Sequence, residues 1–292
     1  MKSLIGLKNM PCCPAWSKMA PWTGQLELKV EQRGGRSAAS RQYHQGAYKI
    51  ARPIYPDGSG QVHYYVMNPG GGYVGGDRYR MELGLGEGAS ALITTQSSTK
   101  IYRTPKEPVF QWTRIALEAG SYLEWLPDSV IAYRDSRYRQ QTEIRMDRSA
   151  ALILGEIVTP GWSPNGEHFS YDEIALKTMI EMDGAPVLFD HLRLRPGERP
   201  IRGLGRMDGH THVGSLFVIG PLATRAFIEE LAETLDLNRM KGRIGLSELI
   251  IPGFGVRMLG DSTQAIEALF GRIANTVRER WFGWGPISLR KY

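Results

Sequence analysis

Five of the ten residues from Asn68 to Asp77 are glycine, in the order Asn68-Pro69-Gly70-Gly71-Gly72-Tyr73-Val74-Gly75-Gly76-Asp77. Such a run can cradle a phosphate when its backbone N–H groups converge at the start of a helix. Gly70, Gly72 and Gly75 satisfy the dinucleotide spacing G-x-G-x-x-G, and Gly71 and Gly76 have the separation of a P-loop. The chemistry stops there. Asp77 and Arg78 stand where a P-loop needs Lys and Ser or Thr, and the residues after Arg78 alternate as a strand does instead of opening a helix. The segment therefore reads as a tight turn joining two strands, with glycine supplying backbone conformations closed to other residues.

His210 and His212 flank a single residue, so on a strand they project from the same face and could share a metal. A hydrolase barrel built on such a pair needs further ligands downstream and a run of alternating strands and helices, and neither follows. Imidazole suits Ni(II), which makes a transient nickel contact the chemical option and a hydrogen-bonded pair the plain one. His44, His63, His168 and His191 are scattered, and neither HExxH nor GxSxG occurs. The acids placed to be partly buried are Asp77 after the glycines, Glu124 and Asp128 around Trp125-Leu126-Pro127, Glu156 after an apolar run, and Asp190 before His191. Taken singly, each also fits a salt-bridged surface acid.

The elements that must hold these residues are strands. In Leu26, Leu28 and Val30 against Glu27, Lys29 and Glu31, and again in Thr142, Ile144 and Met146 against Glu143, Arg145 and Asp147, side chains alternate with period two. Further strands are predicted at 61–67, 78–83, 89–95, 109–117, 150–158, 174–182, 187–194 and 213–219, with a returning strand within 243–258. Helical spacing appears only late. Phe227, Ile228, Leu231 and Leu235 form one stripe within 222–236, and Ile266, Leu269, Phe270, Ile273, Val277 and Trp281 another within 262–281, where Asp261 and Gln264 offer an N-terminal cap. The fold class predicted is mainly β, β-helical or stacked-sheet, in a single domain over 21–292 with two α-helices in the C-terminal third. Residues 1–20 form a tail of possible mobility. No repeat of fixed period is visible, although short regular strands can still stack as a solenoid.

The chain has 292 residues, 42% hydrophobic and 23% charged, close to soluble globular averages. No apolar run reaches the ~18 residues that cross a bilayer, which argues against a membrane span. The apolar stretch before Lys8 is too short for a signal peptide, and the adjacent pair Cys12-Cys13, the only cysteines, cannot staple distant segments. These points favour the cytoplasm. A net charge of +6 would attract an acidic partner, but the arginines are dispersed and no nucleic-acid motif accompanies them.

In order along the chain, Asn68 to Asp77, Thr94-Thr-Gln-Ser-Ser-Thr-Lys-Ile-Tyr-Arg103 and Leu123-Glu-Trp-Leu-Pro-Asp128 resemble the three signature stretches of the urease accessory family UreD, also called UreH. The segment Gly155 to Glu167 and the ending Trp281 to Tyr292 are similar to later landmarks of that family. Trp162 stands where many relatives carry Arg, which suggests a subgroup, and Cys12-Cys13 has no assigned counterpart. The resemblance implies a β-rich fold with two helices and a non-enzymatic scaffold. It further implies partnership with UreF, with the GTPase UreG and with apo-urease, and nickel delivery with no tightly bound cofactor beyond transient Ni(II). A nickel path is a family-level expectation. Its Gly-Asp motif falls on Asp77. Ser98, Thr99, Glu124, Asp128, Glu156 and Asp190 are further candidates chosen by residue type and proximity to the signature stretches. Asn68, Pro69, Gly70, Gly71, Gly72, Gly75 and Gly76 would hold the turn, and Lys100, Tyr102 and Arg103 would position it or face a partner.

Overall fold

A computed structural model describes residues 21–236 and 241–289 of the chain. In chain order the first strands are β1 (Gly24–Arg33), β2 (Arg36–Gly46), β3 (Lys49–Ile50), β4 (Val62–Met67), β5 (Arg78–Leu85), β6 (Ser90–Thr95), β7 (Thr99–Ile101) and β8 (Val109–Leu117). They are followed by β9 (Tyr122–Trp125), β10 (Val130–Ala132), β11 (Arg137–Met146), β12 (Ala151–Val158), β13 (Glu173–Met182), β14 (Ala185–Leu194) and β15 (His212–Ile219). Helix α1 (Arg225–Leu235), β16 (Arg243–Glu248), β17 (Gly253–Gly260) and helix α2 (Thr263–Phe282) complete the order. The Cys12-Cys13 segment lies outside the described residues.

Two stacked sheets carry the chain. One runs β14-β13-β11-β8-β5-β1-β2, the other β16-β17-β15-β12-β9-β6-β4-β3. From β4 to β13 successive long strands alternate between the two sheets, and within each sheet they pair in parallel. Val62, Ala91, Leu123 and Leu152 lie side by side in one sheet, and Met81, Thr113, Thr142 and Thr178 in the other. The chain is thus a short β-solenoid with roughly 30 residues per turn, in the range expected of stacked repeats. Antiparallel strands close each edge: β2 and β14 on one sheet, β3, β15, β17 and β16 on the other. A third, minor ladder joins β7 to β10, with Tyr73 bridged to Ile101 and Tyr133 to Trp162.

The patterning follows from which faces are covered. Strand β12 is buried along its whole length because one face meets the opposite sheet and the other meets the helices. Strand β1 alternates because its outer face meets solvent. Between the sheets lies the larger core, including Leu26, Leu28, Tyr64, Met81, Leu123 and Leu152. Outside the second sheet, Ile266, Leu269, Phe270, Ile273 and Val277 of α2, with Ile228, Leu231 and Leu235 of α1, cover Ile153, Ile157, Leu216 and Val256. The two helical stripes thus pack as their spacing predicts. The N-terminal cap of α2 differs from expectation: the Ser262 hydroxyl accepts from the Ala265 N–H, while Asp261 turns away to Thr211 and His210. A serine hydroxyl one residue closer to the helix reaches the orphan amide, and Gln264 accepts from that serine.

Candidate functional site

The inward positions of adjacent strands bring polar side chains into the space between the sheets. On β8 and β11 the pattern Gln-x-Thr recurs in register, Gln111 beside Gln140 and Thr113 beside Thr142, and Thr178 and Asp190 extend the threonine row. On the opposing sheet Glu156, Ser215 and Arg257 stand side by side. The rows face each other across the core. Gln140 Nε2 donates to Glu156 Oε1, and the Arg257 guanidinium donates to Asp190 at 2.6 Å. A buried polar strip therefore runs through the solenoid.

At the other end of this strip is a tyrosine cluster. Tyr73, from the glycine segment, stacks on Tyr79 at 3.8 Å and lies 3.0 Å, hydroxyl to hydroxyl, from Tyr48. The Tyr73 hydroxyl donates to Gln111 Oε1 at 3.1 Å, and the Tyr138 hydroxyl lies 3.0 Å from Gln111 Oε1 and 2.9 Å from Gln140 Oε1. An unbroken chain of neutral donors and acceptors thus links Tyr48 to Glu156. Burial, the leading cause for each, raises the Tyr48, Tyr73, Tyr79 and Tyr138 hydroxyls above the ordinary phenol range, so all four stay protonated at neutral pH.

Two small cavities follow the chain. The outer, about 40 Å³, is lined by Asn68, Gly71, Gly72, Ser98, Thr99 and Lys100. The inner, also about 40 Å³, reaches Thr95, Asp128, Gln140 and Glu156. Tyr48, Val66, Tyr73, Thr95 and Thr99 line both, so the cavities adjoin. Each exceeds the ~15 Å³ that a water needs. Glu156 is the most perturbed acid on the route, pushed up to about 7 by burial first and then by the nearby Asp190 carboxylate, with Arg257 and Gln140 pulling the other way. It therefore exchanges a proton near neutrality, whereas an ordinary carboxylate would be ionised.

The glycine segment forms the rim as a turn. The Gly71 N–H donates to the Asn68 carbonyl, the Tyr73 N–H to the Lys100 carbonyl, the Gly76 N–H to the Glu107 carbonyl and the Val74 N–H to Asp77. With those amides engaged and strand β5 following, the phosphate-cradle geometry is not formed. Gly72 is required by close approach: a Cβ there would sit 2.6 Å from Tyr102 Cε2 and 2.8 Å from the Lys100 carbonyl oxygen. Asp77 ties the turn, accepting from the Val74 N–H at 2.8 Å, the Tyr79 hydroxyl at 3.0 Å and the Thr23 hydroxyl at 3.2 Å. It stands behind Tyr79, outside the two cavity linings. Tyr102 packs edge-on to Tyr133, which meets Trp162, and Arg103 pairs with Asp135 at the surface.

The structure brings Thr99, Asp128 and Glu156 to one cavity, Ser98, Thr99 and Lys100 to its neighbour, and Asp190 to Arg257 beyond. It does not bring Glu124 there. Glu124 points to the opposite face of its sheet, under α2, where the buried Arg278 binds it at 2.7 Å and Asp57 at 2.7 Å, and also reaches Gln61. His63 beside them is held neutral, down to about 4, by burial and by Arg278. His210 and His212 stand apart from the strip as well. His210 precedes β15 and lies 3.0 Å from Asp261, while His212 lies 2.8 Å from the Thr211 hydroxyl. Among the described residues no three His, Cys, Asp or Glu side chains are grouped to hold a metal. Sequence reasoning missed Tyr48, Gln111, Tyr138, Gln140 and Arg257. The repeated Gln-x-Thr at inward strand positions was the available signal.

Fold and site together define a mainly-β solenoid scaffold with a polar strip through its interior. Its family follows from comparison: a model of the UreD urease accessory protein matches residues 23–291, and the chain belongs to the UreD family. It is 46% identical to the urease accessory protein UreD of Actinomyces naeslundii, over 92% of this chain and 99% of the relative. It is 40% identical to that of Lachnoclostridium phytofermentans over 94% and 100%, and 37% identical to that of a Bacillus strain over 92% and 99%. These relatives are named as accessory proteins rather than enzymes.

Proposed function

We propose that this chain is a cytoplasmic, non-enzymatic scaffold that docks on apo-urease together with UreF and UreG, and that it passes nickel inward through the polar strip. GTP hydrolysis belongs to UreG in this reading. The observation that carries it is the continuous line of cavities and neutral oxygen donors from the glycine turn to Glu156. A conduit needs contacts that are weak and successive, since a closed cage of soft ligands would retain the ion. Two carboxylates, Asp128 and a Glu156 whose pKa is near neutrality, approached through tyrosine, threonine and amide oxygens, meet that requirement. Ser98 and Thr99 serve the outer cavity, Asp128 and Glu156 the inner. Asp77 holds the turn, and Glu124 acts through the Arg278 cluster instead of the path. His210 and His212 have a place only as a surface contact for nickel.

The test is activation of apo-urease by nickel and bicarbonate with UreF, UreG and GTP, comparing the wild-type chain with Glu156→Gln. The amide keeps the size and a hydrogen-bonding oxygen while removing the charge. Loss of nickel incorporation with the complex still assembled supports the conduit; full incorporation sinks it and leaves an assembly role.

A further inference from the structure

Beyond the far end of the polar strip lies a cavity of about 490 Å³, between β14, the loop that follows it, and the β15–β17 pair. Five arginines line it: Arg193, Arg195, Arg199, Arg206 and Arg257. Their compensation is incomplete. Arg193 and Arg195 share the single carboxylate of Glu173, which also takes Arg139, while Arg195 reaches Glu198 as well and Arg257 holds Asp190. Arg206 donates to the Pro200 carbonyl, and Arg199 has no carboxylate partner among the described residues. Five guanidinium groups thus share three acids, one of them already divided with a sixth arginine. The floor is apolar, built from Leu192, Leu194, Ile201, Met207 and Leu259. Strand β14 ends its sheet, and its residues His191 to Leu194 line the cavity.

We propose that this cavity is a docking site for an acidic, partly apolar segment of a protein partner. An inorganic phosphate or a nucleotide phosphate would want donors converging on a polar floor, whereas here cations ring an aliphatic surface. That arrangement fits carboxylates flanking apolar anchors on an extended peptide, for which an edge strand is a common platform. A carboxylate entering the cavity would also meet Arg257, the lining arginine paired with the interior Asp190, so docking would compete for the residue that closes the strip. The inference is independent of the nickel path, since it concerns a surface and its test contains no nickel.

The experiment uses the full chain and a fluorescein-labelled peptide alternating leucine and glutamate, read by anisotropy at low salt, with a leucine–lysine peptide and pyrophosphate as comparisons. Saturable binding of the acidic peptide is expected, weakened by salt and weakened at least about tenfold in Arg199→Glu/Arg206→Glu. Both side chains are exposed, so the variant should fold, and its unfolding midpoint checks this. A control reversal at Arg33 and Arg41, remote in the fold, should leave binding unchanged. Absence of saturable binding, equal binding of the basic peptide, an equal loss in the control, or displacement by pyrophosphate at concentrations below the peptide's own Kd would each overturn the proposal.

Discussion

Replacing Glu156 by Gln should make the protein more stable above neutral pH while removing the function proposed for it. The carboxyl sits in the core with its proton affinity raised from 4.5 to about 7. A folded pKa above the unfolded value means that the native state binds the proton more tightly. This contribution is fully present below the unfolded pKa of 4.5 and is lost as pH rises through about 7. At about 1.4 kcal/mol per pKa unit the full loss is about 3 kcal/mol, and most of it falls between about pH 5 and pH 8. Glutamine does not titrate. Guanidinium denaturation followed by tryptophan fluorescence, at fixed ionic strength across that range, should therefore show the variant gaining about 2 to 3 kcal/mol on the wild type as pH rises. All other titrating groups are common to both proteins, so the difference isolates this one. A stability difference that does not change with pH would refute the assignment of a buried, proton-exchanging Glu156.

Arg278→Ala strands Glu124 in the outer core without its cation and should cost about 3–5 kcal/mol, with Glu124→Gln on the same background restoring part of it, as read by unfolding midpoints. Gly72→Ala places a methyl against the Tyr102 ring and the Lys100 carbonyl and should cost about 1–3 kcal/mol, accompanied by faster protease cleavage in the turn. Asp77→Ala removes the acceptor of the Val74 amide, the Tyr79 hydroxyl and the Thr23 hydroxyl and should cost about 1–3 kcal/mol, loosening the same turn by the same protease measure; Asp77→Asn, which keeps one carbonyl acceptor, should lose less.

Most of the fold was legible because its signals are local. Strand β8 is predicted at 109–117 and found there, and both helices follow their apolar stripes within a few residues. The short strands β3, β7, β9 and β10 were not predicted, because two to four residues give too little alternation; the long β2 was missed because its mostly exposed, polar residues carry no apolar alternation, and the single strand expected at 243–258 is instead the antiparallel pair β16–β17. Site residues divide in the same way. Glu156 is conspicuous as an acid within an apolar run, and its burial follows from that. Glu124 looks the same in sequence, yet a one-residue difference in strand parity puts it on the other face of its sheet. Leu152 pairs with Leu123, and Glu156 lies four positions past the one while Glu124 lies one past the other. Facing cannot be assigned without the register, and the register is set by long-range pairing.

The electrostatics of the strip give it a direction. On the side of the glycine turn the lining is mostly phenols, hydroxyls and amides, with Lys100 at the outer cavity and Asp128 beside Glu156 at the inner one, so on the proposed route a cation meets mainly dipoles before it reaches the two acids. On the far side Arg257 and Asp190 neutralise each other at 2.6 Å, and past them the cavity carries excess arginine. Arg257 is half-exposed and paired, so its repulsion of a divalent ion is reduced by solvent and by Asp190, but it still occupies the carboxylate that could receive the ion next. An ion arriving at Glu156 therefore has a favourable position and an unfavourable continuation while Arg257 keeps its place. Onward passage requires either that Arg257 be drawn away from Asp190, leaving a second carboxylate to receive the ion, or that the ion leave through the inner cavity toward Asp128. Drawing Arg257 outward is what an acidic segment in the arginine-lined cavity would do. On this reasoning Arg257→Met should leave Asp190 as an uncompensated, partly buried acid and destabilise the protein, yet make nickel transfer less dependent on the docked partner.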